Sequence, residues 1–172
     1  MDVMVDIETL GTEPGCVVLT VGACTMQKNP EDRMVYSAAL DWEAQVKSGR
    51  AVNPGTLKWW MDQSPAARAE AFEGDRVPVQ DFADDFARWW QSVGAERIWS
   101  HGSSFDVPIL ESLAPMPWKF WNARDTRTLY SFAGVTPKRG NDHHHALADA
   151  MVQTDAVWSA LTILKLTNLF NQ

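Results

Sequence analysis

The sequence predicts an α/β protein in which a mixed β-sheet begins as an antiparallel meander and is flanked by helices. Two observations lead to this fold class. The first 40 residues contain three apolar, β-branched runs that are separated by short polar turns. From residue 54 onward, amphipathic helical segments alternate with short apolar runs. A meander followed by alternating helices and strands is typical of a mixed sheet with helices on its faces.

The strand predictions rest on β-branched and apolar residues bounded by turn residues. Pro14 and Gly15 separate the first two runs, and a polar stretch at residues 28–32 separates the second from the third. Two shorter runs follow between the helical segments. The predicted strands cover residues 3–8, 16–26, 33–40, 96–100 and 122–124.

The helix predictions rest on spacing and on end signals. Ser64 is an N-cap candidate before Pro65, the favoured residue for a first helical position. A later segment repeats Phe82, Phe86 and Trp90 along one stripe, as an amphipathic helix does. The predicted helices cover residues 54–63, 65–72, 79–93, 105–113, 125–132 and 146–165.

Size and composition predict one globular domain, residues 1–172. Hydrophobic residues make up 45% of the chain and charged residues 22%, which is ordinary for a globular protein. The net charge of −7 argues against a protein that wraps nucleic acid or coats an anionic membrane, because such proteins are usually basic. No apolar run is long enough for a transmembrane helix, so we expect no membrane partner.

The two cysteines indicate a reducing compartment. Cys16 and Cys24 fall within one predicted strand, eight residues apart, which is too far for a disulfide. We therefore expect two reduced thiols in a cytoplasmic protein.

Two acids end the first predicted strand. Asp6 and Glu8 are two residues apart, so their side chains point to the same side of the sheet. Neighbouring carboxylates repel each other, but the arrangement becomes favourable when divalent cations such as Mg²⁺ or Mn²⁺ lie between them. The alternative is that the strand has ended and both acids are solvated.

Further acids and a histidine run stand at the starts of two later helices. Asp106 follows a small-residue loop, where it could simply complement the helix dipole. Asp149 lies in the second turn of the last helix, so His144 can share a site with it only from the loop before that helix. The alternative is an exposed histidine run. A zinc cluster is disfavoured because no cysteine lies nearby to complete a tetrahedron.

Together these residues resemble the DEDDh (DnaQ-like) 3′–5′ exonucleases of the ribonuclease H-like superfamily. Asp6-Ile7-Glu8-Thr9 matches the first family motif, Asp-x-Glu-Thr, and Phe105-Asp106 matches the second. His144-x-Ala146-x-x-Asp149 matches the third, His-x-Ala-x-x-Asp. The order and the intervals also fit, so the resemblance extends over the whole chain and implies a ribonuclease H-like fold.

A narrower resemblance links the chain to the small exoribonuclease group that contains ribonuclease AS and related phage nucleases. The segments that carry it are Thr56-Leu57-Lys58-Trp59-Trp60, Ser64-Pro65-Ala66-Ala67-Arg68, His101-Gly102-x-x-Phe105-Asp106 and Arg124-Asp125-x-Arg127-Thr128-Leu129.

The family resemblance implies a two-metal mechanism. Asp6, Glu8 and Asp149 would hold one divalent cation, and Asp6 would bridge to a second that Asp106 supports. Paired cations stabilise the attacking and leaving oxygens of a phosphoryl displacement. His144 would act as the general base, a role that suits the pKa of an imidazole.

The resemblance also suggests substrate contacts. Leu10 is a candidate wedge against the last base, and one of the neighbouring Trp59 and Trp60 could stack on a base or seal a dimer interface, the other lying in the core. Arg124 or Arg127 could contact phosphate, unless Asp125 only caps a helix. The complete predicted set is Thr9, Leu10, Trp59, Trp60, Phe105, Arg124, Lys138 and Arg139.

The expected function is metal-dependent 3′–5′ hydrolysis of single-stranded RNA or DNA 3′ ends to nucleoside 5′-monophosphates, with RNA slightly favoured. A DNA proofreading or repair exonuclease is the alternative within the same class. A catalytically silent nuclease fold that binds a protein is the alternative from another class. A homodimer is plausible from the family and from the nine tryptophans.

Overall fold

The computed structural model describes residues 1–137 and 144–167, and its strands agree with the predicted ones in number and order. The second strand is shorter than expected, because Cys16 pairs only in an isolated bridge with Ala51. Cys16 and Cys24 therefore do not share a strand, although both are buried and free. The strands are β1 (Asp2–Thr9), β2 (Val18–Thr25), β3 (Val35–Ala39), β4 (Arg97–Ser100) and β5 (Ala123–Asp125).

The five strands form one mixed sheet in the order β3-β2-β1-β4-β5. The antiparallel meander is confirmed, since β1 pairs with β2 and β2 with β3 in antiparallel register. The β4 strand then pairs parallel to β1, and β5 pairs parallel to β4. The central strand β1 is therefore paired on both sides, and the carboxyl ends of β1, β4 and β5 meet at one edge of the sheet.

The structure contains all six predicted helices and one that the sequence did not predict. The additional helix, α1 (Trp42–Lys47), has only six residues, which is too short to show a helical period, although Asp41 caps its first turn. The others are α2 (Pro54–Met61), α3 (Pro65–Phe72), α4 (Val79–Ser92), α5 (Asp106–Glu111), α6 (Thr126–Ala133) and α7 (Ala146–Ile163). Two 3-10 turns cover Pro30–Asp32 and Phe120–Asn122.

Three apolar clusters hold the layers together. One face of the sheet packs on α4 and α5 through residues such as Phe82 and Ile109. The opposite face packs on α6 and α7 through residues such as Tyr130 and Val157. A third cluster, around Trp60, joins α2 and α3 to β2. Among the described residues, no helix is both long and apolar enough to cross a lipid bilayer.

Gly22 allows the last helix to approach the sheet. A Cβ atom at this position of β2 would lie 2.1 Å from the backbone nitrogen of Leu147 and 2.3 Å from the carbonyl carbon of Ala146. Any side chain would therefore push the start of α7 away from the sheet. Because Asp149 lies in the next turn, Gly22 determines how closely α7 brings that acid to β1.

Candidate active site

An open cleft of about 310 Å³ lies where β1 ends, and the five residues that match the family motifs all line it. Asp6 and Glu8 come from β1, as the alternation of the strand requires. Asp106 is the first residue of α5, and Asp149 lies in the first turns of α7. His144 stands in the segment before α7, as its spacing from Asp149 requires.

Glu8 and Asp106 are buried, Asp6 and Asp149 are partly buried, and the pKa values of Asp6, Glu8 and Asp106 reflect this environment. Burial and the neighbouring charges of Asp106 and Glu8 raise the pKa of Asp6 well above its usual value. Burial, then Asp149 and Asp106, raise the pKa of Glu8 to about 8. Burial raises the pKa of Asp106 to about 7, although the positive charge of Arg127 acts in the opposite direction. The positive charge of Arg127 is therefore not enough to keep the pKa values of these acids in their usual range.

The donor set fits a divalent cation. Glu8, His144 and Asp149 each present a ligand atom, and these three atoms lie within 4.8 Å of one another. Asp6 and Asp106 add carboxylate oxygens to the same cleft. Hard cations such as Mg²⁺ and Mn²⁺ prefer oxygen ligands, and their positive charge would offset the burial and the repulsion that raise these pKa values.

His144 is held by aromatic and polar neighbours. Its backbone lies in the left-handed region, with φ of 69°. Its ring makes edge contacts with Trp59, at 4.6 Å between centroids, and with Trp60, at 5.9 Å. Nδ1 lies 3.9 Å from Glu8 Oε1, and the backbone N–H donates to Asp149 Oδ2. The imidazole therefore stands beside the acids and keeps 21% of its side chain exposed.

A second groove shares Glu8 and Phe105 with the cleft and extends along Thr9 and Trp59. Trp59 is 41% exposed there, so it is the outward member of the tryptophan pair. Trp60 is the inward member, since it is only 1% exposed and its Nε1 donates to the carbonyl of Thr9. The expectation that Trp60 contacts substrate is therefore not supported by its position in the core.

Leu10 is also enclosed rather than presented to the cleft. Its side chain is 3% exposed and packs in the third cluster beside Trp60. The register of β1 against β2 shifts between Glu8 and Thr9, so the alternation that puts Asp6 and Glu8 on one face does not continue to Leu10. A wedge role for Leu10 would require it to leave this cluster.

Among the residues that the structure describes, the cation that lines the cleft is Arg127, not Arg124. The Arg124 guanidinium donates to the backbone carbonyls of Trp121 and Ala123. Arg127 lies beside the acids and donates from Nε to the carbonyl of His101. Gly102 lets it approach, because a Cβ there would lie 3.4 Å from Arg127 Nε.

Asp125 caps α6, which is the role that the sequence predicts as the alternative to a site with phosphate-binding arginines. Its carboxylate accepts from the backbone N–H groups of Thr128 and Ser103. Although burial acts in the opposite direction, these bonds lower the pKa of Asp125. The predicted phosphate contacts Lys138 and Arg139 lie outside the described residues.

Sequence reasoning missed Gln153, and it assigned no role to His101, although both residues line the cleft. Gln153 donates from Nε2 to Asp6 Oδ1 at 2.7 Å, and its own buried Oε1 has no hydrogen-bond partner in the described part of the chain. Its position four residues after Asp149, on the same face of α7, was a signal for this placement. His101 lines the cleft and its Nδ1 contacts Thr126 Oγ1 at 3.0 Å.

Comparisons with known proteins identify the class of this fold and site. A solved structure described as exonuclease X in complex with 5′ overhanging duplex DNA superimposes with a TM-score of 0.52 over 99% of this chain and 93% of that one. At 18% identity, this match shows the fold. The chain is also 29% identical to an exodeoxyribonuclease of Enterobacteria phage T4, over 74% of this chain and 69% of the relative.

The class is that of the DnaQ-like 3′–5′ exonucleases in the ribonuclease H-like superfamily. The chain belongs to the Rv2179c-like family of 3′–5′ exoribonuclease domains, whose model matches residues 1–161. It is therefore a 3′–5′ exonuclease that acts on nucleic acid, in a family that uses divalent metal.

Proposed function

We propose that this protein removes nucleotides from single-stranded 3′ ends, RNA in preference to DNA, and releases nucleoside 5′-monophosphates with the help of two Mg²⁺ or Mn²⁺ ions. The observation that carries this proposal is the meeting of four carboxylates and His144 in one open cleft. A site of this composition suits hydrolysis of a phosphodiester at a chain end, where the charge of the phosphate must be neutralised.

The metal ligands of the proposal are the four acids. Asp6, Glu8 and Asp149 would hold one cation, and Asp6 with Asp106 would hold the other. When bound, the two cations supply a water of lowered pKa and stabilise negative charge on the phosphate. Gln153 keeps an oxygen of Asp6 directed into this site through its 2.7 Å hydrogen bond.

His144 would be the general base. Its Nδ1, the ring nitrogen 3.9 Å from Glu8 Oε1, would take the proton of the attacking water. An imidazole is suited to this transfer because its pKa lies near neutral pH. The partly exposed ring can then pass the proton to solvent.

Other residues of the cleft and groove would hold the substrate. Arg127 is the cation that stands beside the acids, so it would bind a phosphate oxygen. Trp59 and Phe105 line the adjoining groove, where an exposed aromatic face can stack on a base. Because Arg127 is the one cation that the described residues bring to the cleft, activity should depend only weakly on salt compared with proteins that contact many phosphates.

The preference for RNA rests on the exoribonuclease family, whose model spans nearly the whole chain. A DNA exonuclease is the second candidate, since the phage relative is an exodeoxyribonuclease. The homodimer suggested by the family resemblance stays a prediction, which light scattering of the purified protein would test.

The proposal is tested with 5′-labelled single-stranded RNA and DNA of one sequence, incubated with Mg²⁺ or Mn²⁺. We expect a ladder that shortens from the 3′ end, forms faster on RNA, and disappears with a chelator or in Asp149→Ala. Internal cleavage, or activity that survives the chelator, would contradict the mechanism. Faster digestion of DNA would favour the second candidate.

A further inference from the structure

We propose that Glu70 and His145 form a positioning pair that fixes the imidazole of His144 in the cleft. Neither residue lines the cleft itself. Glu70 belongs to α3, and His145 is the residue that caps α7. Glu70 Oε1 lies 3.2 Å from His145 Nε2, so the pair joins two helices at the segment that carries His144.

The contacts of His145 define its tautomer. Its Nδ1 accepts the backbone N–H of Ala148 at 3.3 Å, so the ring proton belongs on Nε2. That N–H then points at the carboxylate of Glu70. Glu70 thereby favours the one tautomer of His145 that can cap the helix, as an outer carboxylate orients a functional histidine in many sites.

Glu70 can act as an anchor because α3 is attached to the sheet. Ala67 and Ala71, on the buried side of α3, pack in the cluster around Trp60 and β2. The Trp60 ring also contacts Phe72 at the end of α3. The packing of α3 therefore fixes Glu70 relative to α2, the helix that carries Trp59 and Trp60, the aromatic neighbours of His144.

The pair acts on His144 through the backbone. His144 precedes His145 directly and adopts a left-handed conformation, which persists in a non-glycine residue only where its surroundings enforce it. Its ring packs against Trp59, and its N–H donates to Asp149. Releasing His145 from Glu70 would let the segment relax and move the ring away from the acids, while the acids themselves stay in place.

This inference rests on the proposed function, in which His144 is the general base. It predicts that loss of Glu70 lowers kcat and leaves KM unchanged, since the substrate groove does not include Glu70. We expect about a tenfold loss of kcat in Glu70→Ala, because misplacement of a reacting group by about 1 Å can cost up to a hundredfold. Glu70→Gln should recover most of it, since its amide oxygen can still accept from Nε2.

The experiment measures kcat and KM on a short single-stranded RNA for Glu70→Ala, Glu70→Gln and the control Glu73→Ala. The control removes an exposed acid next to the same helix. The imidazole proton signals of His144 are followed by NMR in the metal-free protein and identified from their loss in His144→Gln. Packing against Trp59 gives these protons ring-current shifts that report the position of the ring.

We expect Glu70→Ala to shift the His144 signals and lower kcat, with Glu70→Gln and Glu73→Ala close to wild type. Unchanged signals in Glu70→Ala, an effect on KM alone, or a Gln variant as impaired as the Ala variant would overturn the inference. Full activity in His144→Gln would instead refute the role of His144 in the proposed function. The NMR signals would still show whether Glu70 positions the His144 ring, because they do not depend on catalysis.

Discussion

The two halves of the active site are held in place by different means. Asp6 and Glu8 lie on β1, whose backbone is paired with β2 on one side and β4 on the other. His144 precedes α7 in a left-handed conformation and is held by ring contacts and by hydrogen bonds involving side chains. Asp6 and Glu8 are thus placed by the sheet, and His144 is placed by its neighbours.

This difference has an energetic consequence. Glu8 is buried at the end of β1 beside Asp149 and Asp106, and burial first, then these two charges, raise its pKa to about 8. His144 is held by contacts that are individually weak, so its position can be changed without unfolding the protein. Changes in the acids should therefore affect both stability and activity, whereas changes around His144 should affect activity.

The largest expected effect comes from Asp6→Asn. Activity should fall by more than about 10³-fold, since a lost metal ligand removes several kcal/mol of transition-state stabilisation. The metal-free variant should nevertheless melt at a higher temperature than wild type at pH 8, because a neutral amide avoids the cost of burying an ionisable group beside Asp106 and Glu8. Activity assays and thermal melts with a chelator measure both.

The matched control is Asp75→Asn, at an exposed position outside the cleft, which should change neither quantity. A lower melting temperature in Asp6→Asn would show that the acids do not strain the fold.

His144→Ala should reduce kcat by about 10²- to 10³-fold, the range for loss of a general base. The melting temperature should change little, because the His144 side chain is only partly buried, with 21% of it exposed. The pH–rate profile should also lose its acidic limb, which reports protonation of an imidazole. Persistence of that limb would assign the base to another group.

Gly22→Ala tests the spacing between the two halves. The added methyl would meet the backbone of Ala146 and Leu147, so α7 must shift with Asp149 and His144. We expect a loss of about 1–3 kcal/mol in the free energy of unfolding, as for an overpacked core. Denaturant unfolding measures this change, and activity should fall with it. Wild-type stability and activity would mean that α7 is free to adjust.

The last effect, which needs no substitution, is the pH dependence of stability without metal. Burial first, and then neighbouring acids, raise the pKa of Glu8 to about 8, and burial raises that of Asp106 to about 7. The folded state therefore binds more protons than the unfolded chain between about pH 4 and 8. These groups stabilise the fold most below their unfolded pKa, near 4, and the contribution is lost as the pH rises through 8.

Thermal melts in a chelator should consequently show a melting temperature that falls from pH 5 to pH 9, by roughly 2–4 °C for each kcal/mol lost. Adding Mn²⁺ at pH 8 should raise it again, because a ligand that binds the folded state stabilises it. A melting temperature that rises over this range would contradict the raised pKa values.

Much of the fold was predictable because local patterns specify it. The three initial strands, the stripe of Phe82, Phe86 and Trp90, and the Ser64 cap all correspond to elements in the structure. The α1 helix was missed because six residues carry too little periodic information. The length of the second strand was overestimated because apolar residues continue past its end into a bridge.

The sequence by itself determined which residues match the motifs of the family and are proposed to carry the chemistry. Asp6, Glu8, Asp106, His144 and Asp149 are recognisable because their order and spacing match three short motifs of the DnaQ-like exonucleases, which are read directly from the sequence. Only the tertiary structure decided which tryptophan is buried, which arginine stands beside the acids, and that Glu70 meets His145. These outcomes depend on how distant elements pack, and local patterns carry no information about packing between residues that lie 75 positions apart.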